Sequence, residues 1–141
     1  MIEGPLAPNY EPKNLTLEEK ILHLVKWGKG TSFAELSKLS GFEGDCEWYY
    51  PKKGSNILLW DGISKKAKEI MLKLLIEKKI FAEIDIKEGI MIYLHDGFTP
   101  EYPVATRPTK NVYKKPHWLP IVFNKFQTKG KNLTFREDML D

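Results

Sequence analysis

Between Leu17 and Val25 the apolar positions Leu17, Ile21, Leu24 and Val25 recur at helical spacing, while Glu18, Lys20 and Lys26 fall away from them. That is the pattern of an amphipathic helix with one face toward a core. Thr16 and Glu19 bracket its start as a capping box, and Gly28 and Gly30 stop it. A second box follows in Ser32-Phe33-Ala34-Glu35, where Phe33, Leu36 and Leu39 make a short apolar stripe that Gly41 closes. The third helical run is SKKAKEIMLKLLIEKKI, from Ser64 to Ile80, with Ser64 as its N-cap. At ~100° per residue Ala67, Ile70, Met71, Leu74 and Leu75 point inward, and Lys65, Lys66, Glu69, Lys73 and Glu77 point out.

Period-two runs come next. Ala82, Ile84 and Ile86 alternate with Glu83, Asp85 and Lys87, and Ile90, Ile92 and Leu94 alternate with Met91 and Tyr93. The pattern predicts a β-hairpin turning at Lys87-Glu88-Gly89, with Gly89 at positive φ. Ile57-Leu58-Leu59-Trp60 reads as a short buried strand. Gly44 to Lys53, with Cys46, Trp48, Tyr49 and Tyr50, fits either one turn of helix or an aromatic loop. From Phe98 the periodicity breaks on Pro100, Pro103, Pro108, Pro116 and Pro120. The residues there also allow a short hairpin through residues 121–123 and 133–135, turning at Lys129-Gly130-Lys131. The prediction divides the chain into an extended arm at 1–14, a domain at 15–97 and a basic, Pro- and aromatic-rich extension at 98–141, packed on the domain or a partner.

Charge changes this picture in one respect. The 141 residues carry 22 Lys and Arg against 19 Asp and Glu, a net +3. Residues 100–141 hold eight of those cations and four acids, so the excess sits in the extension and the rest is close to neutral. Arg107 and Arg136 are the only arginines. Bidentate reading of guanine favours arginine, so a lysine surface would mostly hold phosphates. The single cysteine, Cys46, excludes an internal disulfide and suits a reducing, cytoplasmic setting. No apolar run approaches the ~18 residues of a membrane span, so no membrane role is expected.

The order of helix, short Gly-closed helix, amphipathic helix and β-hairpin resembles the winged helix-turn-helix superfamily. SFAELSKLSG at 32–41, then SKKAKEIMLKLLIEKKI running into FAEIDIKEGIMIYL, carry the likeness over about residues 15–95. The resemblance implies an α+β fold: a winged-helix-like core of three or four helices, a small antiparallel hairpin and an extended tail. It implies Ser64–Lys79 as recognition helix in a major groove and Ala82–Leu94 as wing. One departure stands out. More than twenty residues separate Gly41 from Ser64, where a helix-turn-helix uses about 3–4. Either a third short helix near Glu43–Tyr50 or an added strand at Ile57–Trp60 would fill the gap.

The expected function is binding of duplex DNA through its phosphates, as a regulator or a replication or mobile-element accessory factor. The candidate contacts are Lys65, Lys66, Lys68 and Lys73 on the helix, Lys52 and Lys53 beside Tyr49 and Tyr50, Lys87 at the wing tip, and Lys114 and Lys115 in the extension. A plain solvated face explains the helix lysines as well, because Glu69 pairs with Lys65 and Lys73 at i,i+4 spacing. The alternative is a protein-interaction adaptor of the same fold without DNA binding, using the tail to meet a partner or a second copy. No enzyme is expected. His23, His95 and His117 stand far apart, Cys46 has no partner, and neither a phosphate loop nor a metal-ligand motif occurs. No cofactor or metal is implied.

Overall fold

Thr16 N–H donates to Glu19 Oε1 at 2.8 Å and Glu19 N–H donates to Thr16 Oγ1 at 3.2 Å. The reciprocal pair satisfies two orphan amides and starts α1 (Leu17–Trp27), whose Ile21, Leu24 and Val25 are buried. The computed structural model describes residues 14–27, 30–106, 113–127 and 131–139. Residues 1–13 of the expected arm at 1–14, Gly28 and the turn residues Lys129 and Gly130 lie outside them. Ser32 Oγ accepts from Glu35 N–H at 3.1 Å and donates to Asp96 Oδ2 at 2.6 Å. The helix it caps, α2 (Phe33–Leu36), is only four residues long. Turns carry the chain on to Gly41 at φ +88°.

The next stretch is neither a turn of helix nor an aromatic loop but a strand, β1 (Glu43–Tyr49). Its period-two pattern explains why: Trp48 is buried while Glu43, Asp45 and Glu47 are exposed. It pairs antiparallel with β2 (Ile57–Ile63), Trp48 opposite Trp60. The buried run Ile57–Trp60 is therefore a strand, as its sequence suggests. On its other edge β2 pairs in parallel with β4 (His117–Trp118), giving the order β1-β2-β4.

Ser64 Oγ accepts from Ala67 N–H at 3.0 Å and caps α3 (Lys65–Ile76). The helix closes with Lys79 N–H on Leu74 O at 2.9 Å and Lys78 N–H on Leu75 O at 3.2 Å, with Lys78 at φ +60°. β3 (Phe81–Ile84) follows. The expected second wing strand is a helix instead, α4 (Ile86–His95). Residues 82–94 thus form no hairpin, and Lys87 sits exposed in the first turn of α4 rather than at a wing tip. Two local causes decide it. Asp85 caps the helix, accepting from Glu88 N–H at 3.2 Å, and Ile86, Gly89, Ile90 and Tyr93 fall on one helical face. Gly89 is not a left-handed turn residue. It lets the helix backbone approach Pro120, whose carbonyl oxygen would lie 2.4 Å from a Cβ there.

β3 finds its partners far along the chain. β5 (Ile121–Asn124) and β6 (Lys131–Asn132) flank it antiparallel, in the order β5-β3-β6. Residues 121–123 consequently do not pair with 133–135, because β3 lies between the two arms of that expected hairpin. Thr31 extends the same sheet, exchanging hydrogen bonds with Phe123 at 2.9 and 2.8 Å. The fold among the described residues is α+β, with four helices and two three-stranded sheets. The Pro-rich extension supplies strands to both sheets, and its Trp118, Leu119, Ile121, Val122 and Phe123 are buried in the shared core. Phe33 joins the two sheets, its ring centroid 5.6 Å from that of Trp60 and 4.9 Å from that of Phe123. Fully buried Tyr93 donates to Ile121 O at 2.6 Å and accepts from Phe33 N–H at 3.2 Å. Burial pushes its phenol well above the usual range.

Candidate nucleic-acid interface

The lysines of α3 do not act as a set. Lys65 and Lys66 are exposed in its first turn, where the helix dipole favours an anion. Lys68 is 5% exposed, and its ammonium donates to the backbone carbonyl of Glu47 on β1 at 2.9 Å. The helical wheel left Lys68 unassigned. In the fold β1 covers that flank, and the flexible stem reaches a strand carbonyl. Lys73 is exposed but bonds Glu18 on α1 at 3.0 Å, a partner 55 positions away rather than Glu69. The Glu18 hydrogen bond and charge raise its pKa. Glu69, Glu77 and Glu137 stand with Lys73 around a shallow recess on the outer side of α3. That helix therefore presents two exposed cations at one end and mixed charge along its length.

The remaining candidates assemble differently. Lys52 and Lys53 lie in the β1–β2 turn, and Lys114 and Lys115 lie 62 positions further on, just before β4; all four are exposed. Asn56 ties the two stretches together. Its Nδ2 donates to Tyr113 O at 2.7 Å, and its own carbonyl accepts from His117 N–H at 2.7 Å. The Tyr113 and His117 rings stack at 3.9 Å with planes 22° apart, stiffening the short turn that carries Lys114 and Lys115. His117 Nδ1 also lies 2.8 Å from Lys115 O. Neither residues 50–58 nor residues 113–118 contain an acid. Tyr50 bounds this end, its hydroxyl donating to Thr134 O at 2.8 Å. Burial raises that phenol, against the pull of the hydrogen bond and of the Arg136 charge. Lys110 to Val112, which the sequence grouped with Lys114, lie outside the described residues.

Asn56, Tyr113 and His117 are the organising residues that the sequence reading missed. Asn56 had a faint signal: it ends a Gly-Ser-Asn turn and adopts φ +60°, which asparagine tolerates better than most residues. Nothing local pointed from Asn56 to Tyr113.

A different surface is apolar. A cleft of about 730 Å³ runs between α1 and the start of β3, walled by Leu22, Val25, Ile80, Phe81 and Phe126, the last 74% exposed. Lys26, Lys78, Lys79 and Lys125 ring it. Among the described residues no three His, Cys, Asp or Glu side chains converge as a metal site, and no helix is long and apolar enough to cross a membrane. Comparison with protein-family models, with curated proteins and with solved structures returned no match.

Proposed function

We propose that this protein binds nucleic acid through phosphate contacts made by Lys52, Lys53, Lys114 and Lys115, with Lys65 and Lys66 as a separate, weaker anchor. The observation that carries this reading is the Asn56 junction, which brings four exposed ammonium groups from distant stretches to one end of a sheet without an acid among them. Lysines so held act as point charges on a backbone, which gives affinity without base reading.

The winged-helix reading is part of the same proposal, in altered form. α1, α2 and α3 keep the three-helix order, and β3 with β5 takes the place of the wing. Two insertions then separate it from the plain pattern: the β1–β2 hairpin between α2 and α3, and α4 with the crossing segment between β3 and β5. The hairpin packs on α3 at Lys68, so α3 is a poor candidate for deep entry into a major groove.

The test is a filter-binding titration of the full chain against duplex and single-stranded DNA. Four phosphate contacts would give a salt slope of roughly 3.6 log units per log unit of salt on duplex. Replacing Lys52, Lys53, Lys114 and Lys115 together with Glu is expected to abolish retention while leaving the thermal transition in place. Undiminished binding by that variant would reject the assignment. The second reading, a protein-interaction adaptor, is favoured by the apolar cleft and exposed Phe126. No retention of any nucleic acid at low salt, with loss of a co-purifying partner on Phe126→Ser, would select it.

A further inference from the structure

From Phe98 to Ala105 the chain returns along β4, held by Trp118 N–H on Pro103 O at 2.7 Å and Ala105 N–H on Trp118 O at 2.7 Å. Where it passes β2 it leaves a cavity of about 100 Å³. Four aromatic rings line it, from Trp60, Phe98, Tyr102 and Trp118, with Leu58 beside them. Trp60 and Trp118 are 8% and 3% exposed, so both are fixed by the core. The Phe98 centroid lies 5.0 Å from Trp60 and 5.2 Å from Trp118, with planes inclined at 45° and 55°. The rings therefore present faces and edges in several directions rather than one flat platform.

The charged residues among the cavity's lining are Asp61 and Glu101, both acidic and both exposed. The negative field extends over the neighbouring face. Burial raises the Tyr49 phenol, and Glu47, which accepts its hydrogen bond at 3.4 Å, raises it further, followed by Tyr102 and Asp61. The basic end built around Asn56 adjoins the start of β2 at Ile57, next to the Leu58 and Trp118 wall of the hollow, whereas Asp61 lies further along the strand. One sheet thus carries a cationic end and an anionic aromatic hollow.

We infer that this hollow is a cage for a quaternary or fully methylated ammonium group. Aromatic faces attract a cation through the ring quadrupole, most strongly when the cation has little water to lose. A primary ammonium is a compact, strongly hydrated charge, and an aromatic wall offers it few acceptors in exchange. A neutral apolar group would fill the space but gain nothing from Asp61 and Glu101. The volume corresponds to roughly three waters at ~30 Å³ each, which suits a trimethylammonium head and is too small for a nucleoside. This site does not depend on the nucleic-acid reading.

The test uses the full chain, with tryptophan fluorescence and the Trp60 and Trp118 indole N–H resonances as readouts. Three cations are titrated: tetramethylammonium, choline and a short peptide containing trimethyllysine. The control is 3,3-dimethylbutan-1-ol, the uncharged carbon counterpart of choline. Choline is expected to bind about tenfold more tightly than this control, and the trimethyllysine peptide similarly more tightly than its unmethylated form. Tyr102→Ala, at a half-buried wall, is expected to weaken binding about tenfold, and Glu101→Lys, at an exposed position, about fivefold. A preference for choline would place the ligand among free small molecules, and a preference for the peptide would place it on a protein; either supports the cage. Equal affinity for choline and its carbon counterpart, insensitivity to both substitutions, or no saturable binding of any cation would overturn it.

Discussion

Lys68 and Lys52 have the same side chain and opposite fates. Lys68 sits in the densest run of positive charge in the chain, yet its ammonium is consumed by Glu47 O on a neighbouring strand. Lys52 lies in a turn beside one other lysine, and the fold carries Lys114 and Lys115 to it through Asn56. Local density along the sequence therefore does not tell which ammonium groups the fold leaves exposed. A helix places only every third or fourth residue on one face, so a run of lysines is divided between solvent and neighbours. Charge offered to a ligand is set by what remains after the fold has used its share.

The sharpest way to break this comparison is to remove both kinds of lysine and read stability. Lys68→Ala deletes a charge-assisted hydrogen bond, leaves the Glu47 carbonyl without its donor and opens space under β1. Its expected cost is about 3 kcal/mol, summing a bond to a charged group with a modest cavity term. Lys52→Ala, on an exposed turn, should fall within about 0.5 kcal/mol of the parent. Urea unfolding of the two variants measures the difference. Equal midpoints would mean that Lys68 is as free as Lys52 and that α3 deserves its place as the main contact.

Next in size is a test of the segment where sequence and structure part. Ile84, Ile86, Ile90, Ile92 and Leu94 satisfy a two-residue period, and Ile86, Gly89, Ile90 and Tyr93 satisfy a helical one just as well. Short apolar runs often fit both. The arbiters were the Asp85 cap, which is local, and the contact of Gly89 with Pro120, which is not. Gly89→Asn separates the two conformations. A left-handed turn accepts asparagine with little loss, whereas a helix backbone pressed against Pro120 O has no room for any Cβ. The expected loss is about 2 kcal/mol, within the range for overpacking, read as a lowered Tm. A variant as stable as the parent would favour the hairpin.

The same contrast explains how much of the molecule was legible. The starts of α1, α2 and α3 were readable because a capping box or N-cap is written within four residues, as Thr16 to Glu19 shows. The buried strand at Ile57 was readable from its unbroken apolar run. The partners of β3 were not, since β5 begins 37 positions after β3 ends and across five prolines. Nor was the basic end, whose assembly depends on a side chain at position 56 meeting a carbonyl at position 113. At the candidate interface, the residue types were visible and their grouping was not.

Lys73 gives the smallest effect and the most selective one. Like Lys52 it is exposed, but like Lys68 it has a partner, Glu18 Oε1 at 3.0 Å, linking α3 to α1. The Glu18 hydrogen bond and charge raise its pKa above the ordinary value of 10.5. Because the folded value exceeds the unfolded one, the pair's contribution is complete below about pH 10.5 and disappears as pH rises through the raised value. A double-mutant cycle of Lys73→Met and Glu18→Gln, followed by chemical denaturation, should show a small favourable coupling near pH 8 and none at strongly alkaline pH. It should also shrink in high salt, as exposed pairs do. A coupling that persists in alkali would mean that Lys73 is held by packing rather than by charge, which would move it to the side of Lys68. Its disappearance would leave the molecule with three grades of lysine: buried in the fold, tethered to it, and free for an anion.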